Sequence, residues 1–172
     1  GAIFAHGRQM GKTLILPVRW NLATAKPVLG TNPTEKLLTN GIRGSLKYSD
    51  FEWCSWADND SVSFTIDLLK LEMLNTLILG CITNNGMAIH KPASVRVEVS
   101  DDNSKFREAV VQSFTSEEIF REGNFIENLS LKLGGTQARY VRVTAKGPGV
   151  CPASHVRPGQ TSRIFFDEVM LE

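Results

Sequence analysis

The chain has 172 residues, of which 42% are hydrophobic and 22% charged, with 19 basic and 18 acidic side chains giving a net charge of +1. That length suits one domain able to bury roughly 70% of its unfolded surface. So even a charge balance supplies no concentrated basic patch for nucleic acid or an anionic membrane, and no apolar run approaches the ~18 residues of a membrane span.

Gly1–Gly11 carry neither an initiator Met nor a signal-peptide pattern, which reads as a processed or excised piece. Thr13–Val18 is a plausible edge strand, because Pro17 cannot donate to a central ladder. Ala25–Lys36, with Pro27, Gly30 and Pro33, reads as an extended linker. Then comes Leu38–Ser45, Leu-Thr-Asn-Gly-Ile-Arg-Gly-Ser, around which the rest is organised. Two glycines three apart, an Asn before the first and hydroxyls near both ends make a compact loop of local hydrogen bonds. Its carbonyls and short oxygen side chains also suit a hard cation.

An aromatic segment follows, with Tyr48, Phe51, Trp53 and Trp56 among acidic residues. Ser63–Leu68 alternates apolar and polar residues as a half-buried strand does, and Leu77–Ile82 is apolar enough for a strand covered on both faces. Thr83–Pro92 is a loop containing Asn84, Asn85 and His90. Ser94–Ser100 alternates again, and Asp101–Ser104 is turn chemistry. Phe106–Phe114 reads as a strand, and Thr115-Ser-Glu-Glu118 has the form of a capping box that opens a short helical turn. Leu129–Leu133 and Ala138–Ala145 alternate on either side of a Gly134-Gly135 turn. Lys146–Ser162 is a third loop, with His155 and Arg157, and Arg163–Leu171 is the closing strand. Short strands at these intervals with little helical periodicity define an all-β antiparallel sandwich or barrel, without internal repeat or second domain.

Cys54, Cys81 and Cys151 are odd in number, widely spaced and free of any CxxC pair, so neither a zinc site nor a disulfide framework is expected. At most one disulfide could form, and a free buried thiol is expected at least for Cys81, which sits in an apolar run. Catalysis within the chain is not supported. Asp58/Asp60 and Asp101/Asp102 sit in turn contexts, and no nucleophile elbow, phosphate loop or dinucleotide fingerprint occurs.

The ordered series Leu38–Ser45, Thr65–Leu68, Pro92–Asp102, Ala138–Val143 and Phe165–Val169 resembles the discoidin, or coagulation-factor C-type, domain. The resemblance covers roughly residues 30–172 and implies a galactose-binding-like jelly-roll sandwich over 37–172, with 1–36 as an extension packed against it. Leu38–Gly44 and Lys146–His155 are also similar to segments of the discoidin-like module near the C-terminus of bacterial family 20 glycoside hydrolases, the β-N-acetylhexosaminidases. This implies a non-catalytic appendage of a secreted or periplasmic sugar-processing enzyme, with glycans or terminal sugars and the parent's catalytic domain as partners.

The resemblance further implies a structural calcium ion between the opening loop and the last strand. Its ligands would be side-chain oxygens of Asn40 and Ser45, carbonyls of Leu37, Arg43 and Asp167, and the Glu168 carboxylate. Asn40 stands where the family pattern usually has Asp, which removes a charge, and Glu168 pairing with Arg43 is the alternative use of the same residues. Sugar recognition would fall to loops at the opposite end of the sandwich. Stacking aromatics and planar polar groups suit sugar faces and hydroxyl rims, so the candidates are Trp53, Trp56, Asn84, Asn85, His90, His155 and Arg157. One of the two indoles is expected in the core. The competing expectation is a structural module that packs on its parent enzyme and binds nothing.

Overall fold

The computed structural model describes residues 19–22, 37–39, 41–55 and 61–172. Within them, seven strands form a continuous antiparallel sheet: β1 (Arg19–Leu22), β2 (Cys54–Ser55), β3 (Ser61–Asn84), β4 (Ser94–Ser100), β5 (Arg107–Ser113), β6 (Asn124–Lys146) and β7 (Phe165–Leu171). Among the described residues, helix is confined to α1 (Ser116–Ile119) and to 3-10 turns at Leu37–Thr39 and Asn85–Met87. The strand order is β2-β7-β3-β6-β4-β5, with β1 also paired to β3.

The two long strands make the sandwich by bending. β3 shifts register against β6 between Asp67 and Glu72 and again between Leu74 and Thr76. Leu69 takes a φ of 70° at the bend, where its N–H donates to Asp67 Oδ1 at 2.8 Å. Gly134 and Gly135, with φ of 67° and 75°, let β6 follow it. An L side chain is costly at such angles, and extra residues in a ladder kink the strand. The glycine pair therefore bends one strand rather than reversing the chain between two, as the alternation alone suggests. Likewise Ser63–Leu68 and Leu77–Ile82 are two halves of β3.

One layer comprises the first half of β3 and the second half of β6 with β1, β4 and β5. The other comprises the second half of β3 and the first half of β6 with β7 and β2. Their inner faces meet in a core that includes Phe64, Ile66, Val95, Val97, Val141 and Val143 from the first layer and Leu77, Leu79, Leu131, Phe166 and Val169 from the second. Every residue of β7 is buried, Asp167 and Glu168 included. A smaller cluster of Trp53, Ile82, Ile89 and Phe165, flanked by Tyr48 and Met87, seats the aromatic segment on the end of β3. The expected edge strand at Thr13–Val18 lies outside the described residues; β1 begins directly after it.

Candidate functional site

The opening loop is fastened by the closing strand. Asp167 Oδ2 accepts hydrogen bonds from Arg43 Nε at 2.8 Å and from the Gly44 N–H at 2.9 Å. Arg43 Nη2 donates to Asn128 Oδ1 at 2.8 Å, and the Gly41 N–H donates to Glu168 Oε1 at 3.1 Å. Arg43 thus takes Asp167 rather than Glu168 as its carboxylate partner, so the Asp167 side chain anchors the loop. The packing leaves no room for other residues at two points. A Cβ on Gly80 would strike Asp167 Oδ1 and the Arg43 guanidinium, and one on Gly44 would strike the Trp53 indole.

That indole is completely buried, and its Nε1 donates to the Ser45 carbonyl at 2.8 Å. Trp53 is therefore a core residue and no stacking platform, because the loop folds over it and takes up its one polar atom. Ser45 itself is exposed, with Oγ accepting the Lys47 N–H at 3.3 Å. Leu37 opens the 3-10 turn, while Asn40 and Trp56 lie outside the described residues. The anchor sits at Gly80, four residues short of Asn84, or about 13 Å along β3 at about 3.3 Å per residue. The loop anchor and the polar cluster beyond Asn84 consequently share one half of the sandwich instead of lying at opposite ends.

Beyond the end of β3 the second and third loops converge. Paired N–H···O bonds between Asn84 and Ile89, at 2.8 and 3.0 Å, close the turn that carries Asn85. The His90 N–H then donates to the Arg163 carbonyl at 3.0 Å, which ties this segment to the start of the closing strand. In the third loop the Cys151 N–H donates to Gln160 O at 2.8 Å and the His155 N–H to Pro152 O at 3.0 Å, presenting His155 inward.

His90 and His155 meet Nε2 to Nε2 at 2.9 Å, with Asn85 Nδ2 at 3.3 Å from the same His155 nitrogen. The Arg157 N–H donates to His155 Nδ1 at 2.9 Å, and Arg157 Nε donates to the Gly86 carbonyl. Asn85 Oδ1 accepts the Gly123 N–H, which draws in the segment after α1. The Phe120 ring stands edge-on to both imidazoles, with centroids 5.1 Å from His90 and 6.1 Å from His155. Burial, and then the neighbouring His155, lower the His90 pKa to about 4. Burial pushes the Cys151 thiol up.

A cleft of about 140 Å³ opens beside this cluster, lined by Asn85, Phe120, Glu122, Pro152, Ser154, His155 and Val156. Asn84, Asn85, His90, His155 and Arg157 are thus brought to one place, but unequally. Asn85 and His155 line the cleft, Arg157 is exposed on its flank, and His90 is wholly buried behind it. A fully buried imidazole cannot meet a sugar, so His90 supports the site from behind. Sequence reasoning passed over Phe120, Glu122 and Ser154. The capping box was the available signal, since Phe120 follows directly on the helix it starts. Among the described residues of the first loop, Phe51, 76% exposed, is an aromatic presented to solvent.

Two bent antiparallel layers, an opening loop pinned to the last strand and a polar cleft between loops at one end define a discoidin-like β-sandwich module. The F5/8 type C domain model matches residues 23–156, and the chain belongs to that family. No curated protein matches it. Among solved structures it is similar to CpGH89CBM32-5 from Clostridium perfringens, solved with GalNAc-β-1,3-galactose (TM-score 0.59, 14% identity, 90% of this chain and 94% of that one). It is also similar to the C-terminal domain of a chitobiase from Bacteroides fragilis (0.53, 16%, 90% and 93%). A third likeness is to the Streptococcus pneumoniae fucose binding module SpX-3 (0.52, 16%, 91% and 94%). At such identities the likeness is one of fold.

Proposed function

We propose that this domain is a non-catalytic carbohydrate-binding module that holds a terminal sugar in the cleft between Phe120 and the third loop. The observation that carries the reading is the lining of that cleft: one aromatic ring with Asn85, Glu122, Ser154 and His155 around it. Sugars offer an apolar C–H face and a rim of hydroxyls, and this lining answers both. The sugar-bound and fucose-binding neighbours of the same fold support it. The parent we infer is a secreted or periplasmic glycoside hydrolase, a β-N-acetylhexosaminidase, a reading supported by the likeness to the chitobiase domain.

A structural calcium ion belongs to the same proposal. Glu168 brings a wholly buried carboxylate to the opening loop, where its Oε1 accepts the Gly41 N–H. With the Asn40 and Ser45 side chains and the carbonyls of Leu37, Arg43 and Asp167 it would make the all-oxygen ligand set that a hard cation takes. Such an ion would brace the loop and take no part in sugar contact.

Thermal unfolding against a panel of galactose, fucose, GalNAc and GlcNAc, with calcium or chelator, tests both parts. A sugar at 100 times its Kd adds about 2.7 kcal/mol, or about 5–10 °C for a domain of this size. The expected result is a rise specific to one sugar class, abolished by Phe120→Ala and retained by an exposed control such as Phe51→Ala. A flat panel at saturating sugar would overturn the module. It would favour the second reading, an accessory domain that packs on its parent's catalytic domain through the exposed Leu71 and Met73 on the bend of β3. A chelator that leaves the midpoint unchanged would remove the ion.

A further inference from the structure

Behind the cleft, His90, Cys151 and His155 form a cluster of which sugar recognition uses His155 alone. All three are buried, and their ligand-capable atoms lie within 4.8 Å of one another. We propose that these three residues bind one divalent transition-metal ion of the zinc class, joining the second loop to the third. The sequence concealed it because the thiol and the first imidazole are 61 positions apart (151 − 90) and no CxxC marks the place.

Two imidazole nitrogens and a thiolate are a donor set for a borderline-soft ion and not for calcium, which takes oxygen. Zinc bonds of about 2.0–2.1 Å to nitrogen and 2.3 Å to sulfur place tetrahedral ligand atoms roughly 3.3–3.7 Å apart. The 2.9 Å between the two Nε2 atoms has to widen by a few tenths of an ångström, and separations elsewhere in the cluster, all within 4.8 Å, have to close by at most about 1 Å. Three protein ligands leave a fourth position, which falls to a water from the cleft that His155 lines.

Without an ion, the protons in the cluster cannot be placed without conflict. Because His155 Nδ1 accepts the Arg157 N–H, its Nε2 must carry the proton of the neutral ring. That N–H can donate to His90 Nε2, but it then faces the Asn85 amide hydrogens, which cannot turn away because Asn85 Oδ1 holds the Gly123 N–H. The other tautomer gives Asn85 and His90 a single lone pair to share and sets the Nδ1 proton against the Arg157 N–H. His90 Nδ1 meanwhile is buried without a hydrogen bond of normal geometry, the Ile119 backbone being the polar group beside the ring. A buried cluster left partly satisfied is costly. A cation on both Nε2 atoms removes the proton between the rings, fixes His90 as its Nδ1–H tautomer, and takes up the thiolate in exchange for the thiol proton. Coordination through His155 Nε2 also requires the exposed Arg157 backbone to release Nδ1.

The test is a Co²⁺ titration of the metal-stripped domain with calcium present throughout, followed by zinc-edge absorption spectroscopy of the Zn²⁺-loaded protein. Saturation at one cobalt per chain is expected, with a thiolate-to-cobalt charge-transfer band and the visible absorption of a tetrahedral site. The band should vanish in Cys151→Ser and persist in Cys54→Ser. The zinc spectrum needs no variant, and should show one sulfur and two imidazole nitrogens in the shell. Absence of stoichiometric binding, a band that survives Cys151→Ser, or a zinc shell without sulfur would each overturn the assignment.

Discussion

Gly80→Ala tests how the opening loop is held. Propensity alone makes this substitution favourable by roughly 0.5–1 kcal/mol, because Gly in a strand interior loses more chain entropy than Ala. The structure reverses the sign. The new methyl would occupy the space of Asp167 Oδ1 and the end of Arg43, in a β7 whose residues are all buried. Overpacking of this kind costs about 1–3 kcal/mol. Moving Asp167 also disturbs its bonds to Arg43 Nε and the Gly44 N–H. Breaking a buried pair costs about 3–5 kcal/mol, discounted here because Arg43 is 34% exposed and water can replace part of the loss. The net expectation is a destabilisation of about 3 kcal/mol, or roughly 6–12 °C in Tm. Urea denaturation of a double-mutant cycle with Asp167→Ala isolates the cause. With the carboxylate gone, Gly80→Ala should add less than about 1 kcal/mol, since only the movable guanidinium is left in its way. A neutral Gly80→Ala, or an equal cost in both backgrounds, would refute the reasoning.

Trp53→Ala should cost about 3–5 kcal/mol in urea unfolding, since the indole is wholly buried and its N–H is taken by Ser45. Sugar affinity measured by calorimetry on the fraction that remains folded should be unchanged. Thr115→Ala removes the hydroxyl that accepts the Glu118 N–H at 3.2 Å, and should cost about 1 kcal/mol by the same assay. Because α1 delivers Phe120, this variant should also weaken sugar binding. Asp102 accepts the Lys105 and Ser104 N–H groups and the Ser100 hydroxyl, which hold its pKa at about 2 against an ordinary 3.8. Its folded pKa is the lower one, so its contribution is complete above pH 3.8 and lost as pH falls towards 2. Carboxyl-detected NMR titration should place Asp102 near 2, and Ser100→Ala should raise it.

What could be read from the sequence followed from local periodicity and local capping. Val95, Val97 and Val99 alternate because one face of β4 is core, and all three are fully buried. Thr115 and Glu118 announced their turn three positions apart, and both halves of the capping box form. What escaped was set by distance along the chain. Alternation on either side of Gly134-Gly135 is the same for a hairpin and for a bent strand, and only the partner register with β3 tells them apart. Trp53 and Phe51 stand two residues apart with the same aromatic character. The choice of which is buried is made by Gly44, which gives the indole room, and by Ser45, whose carbonyl accepts its N–H hydrogen bond. His90 and His155 look like equal loop histidines in sequence, yet one is sealed behind the other once Arg163 receives the His90 N–H.

That last difference bears on how the cleft is kept in shape. His155 belongs both to its lining and to the buried cluster behind it, so a change in the charge or coordination of that cluster acts on the cleft through one side chain. Arg157 binds the same ring from the outside through its N–H and reaches the Gly86 carbonyl on the neighbouring loop. Two loops are therefore locked through one imidazole whose two nitrogens face different sides. Loops are ordinarily the mobile, low-stability parts of a sandwich. Here the His90–His155 contact, the Ser162 hydroxyl donating to Ala88 O at 3.0 Å and the Arg163 N–H donating to the same carbonyl at 2.9 Å give them a buried foundation. A cleft built in this way is formed before any ligand arrives, so binding there pays little of the ordering entropy that a floppy loop would impose.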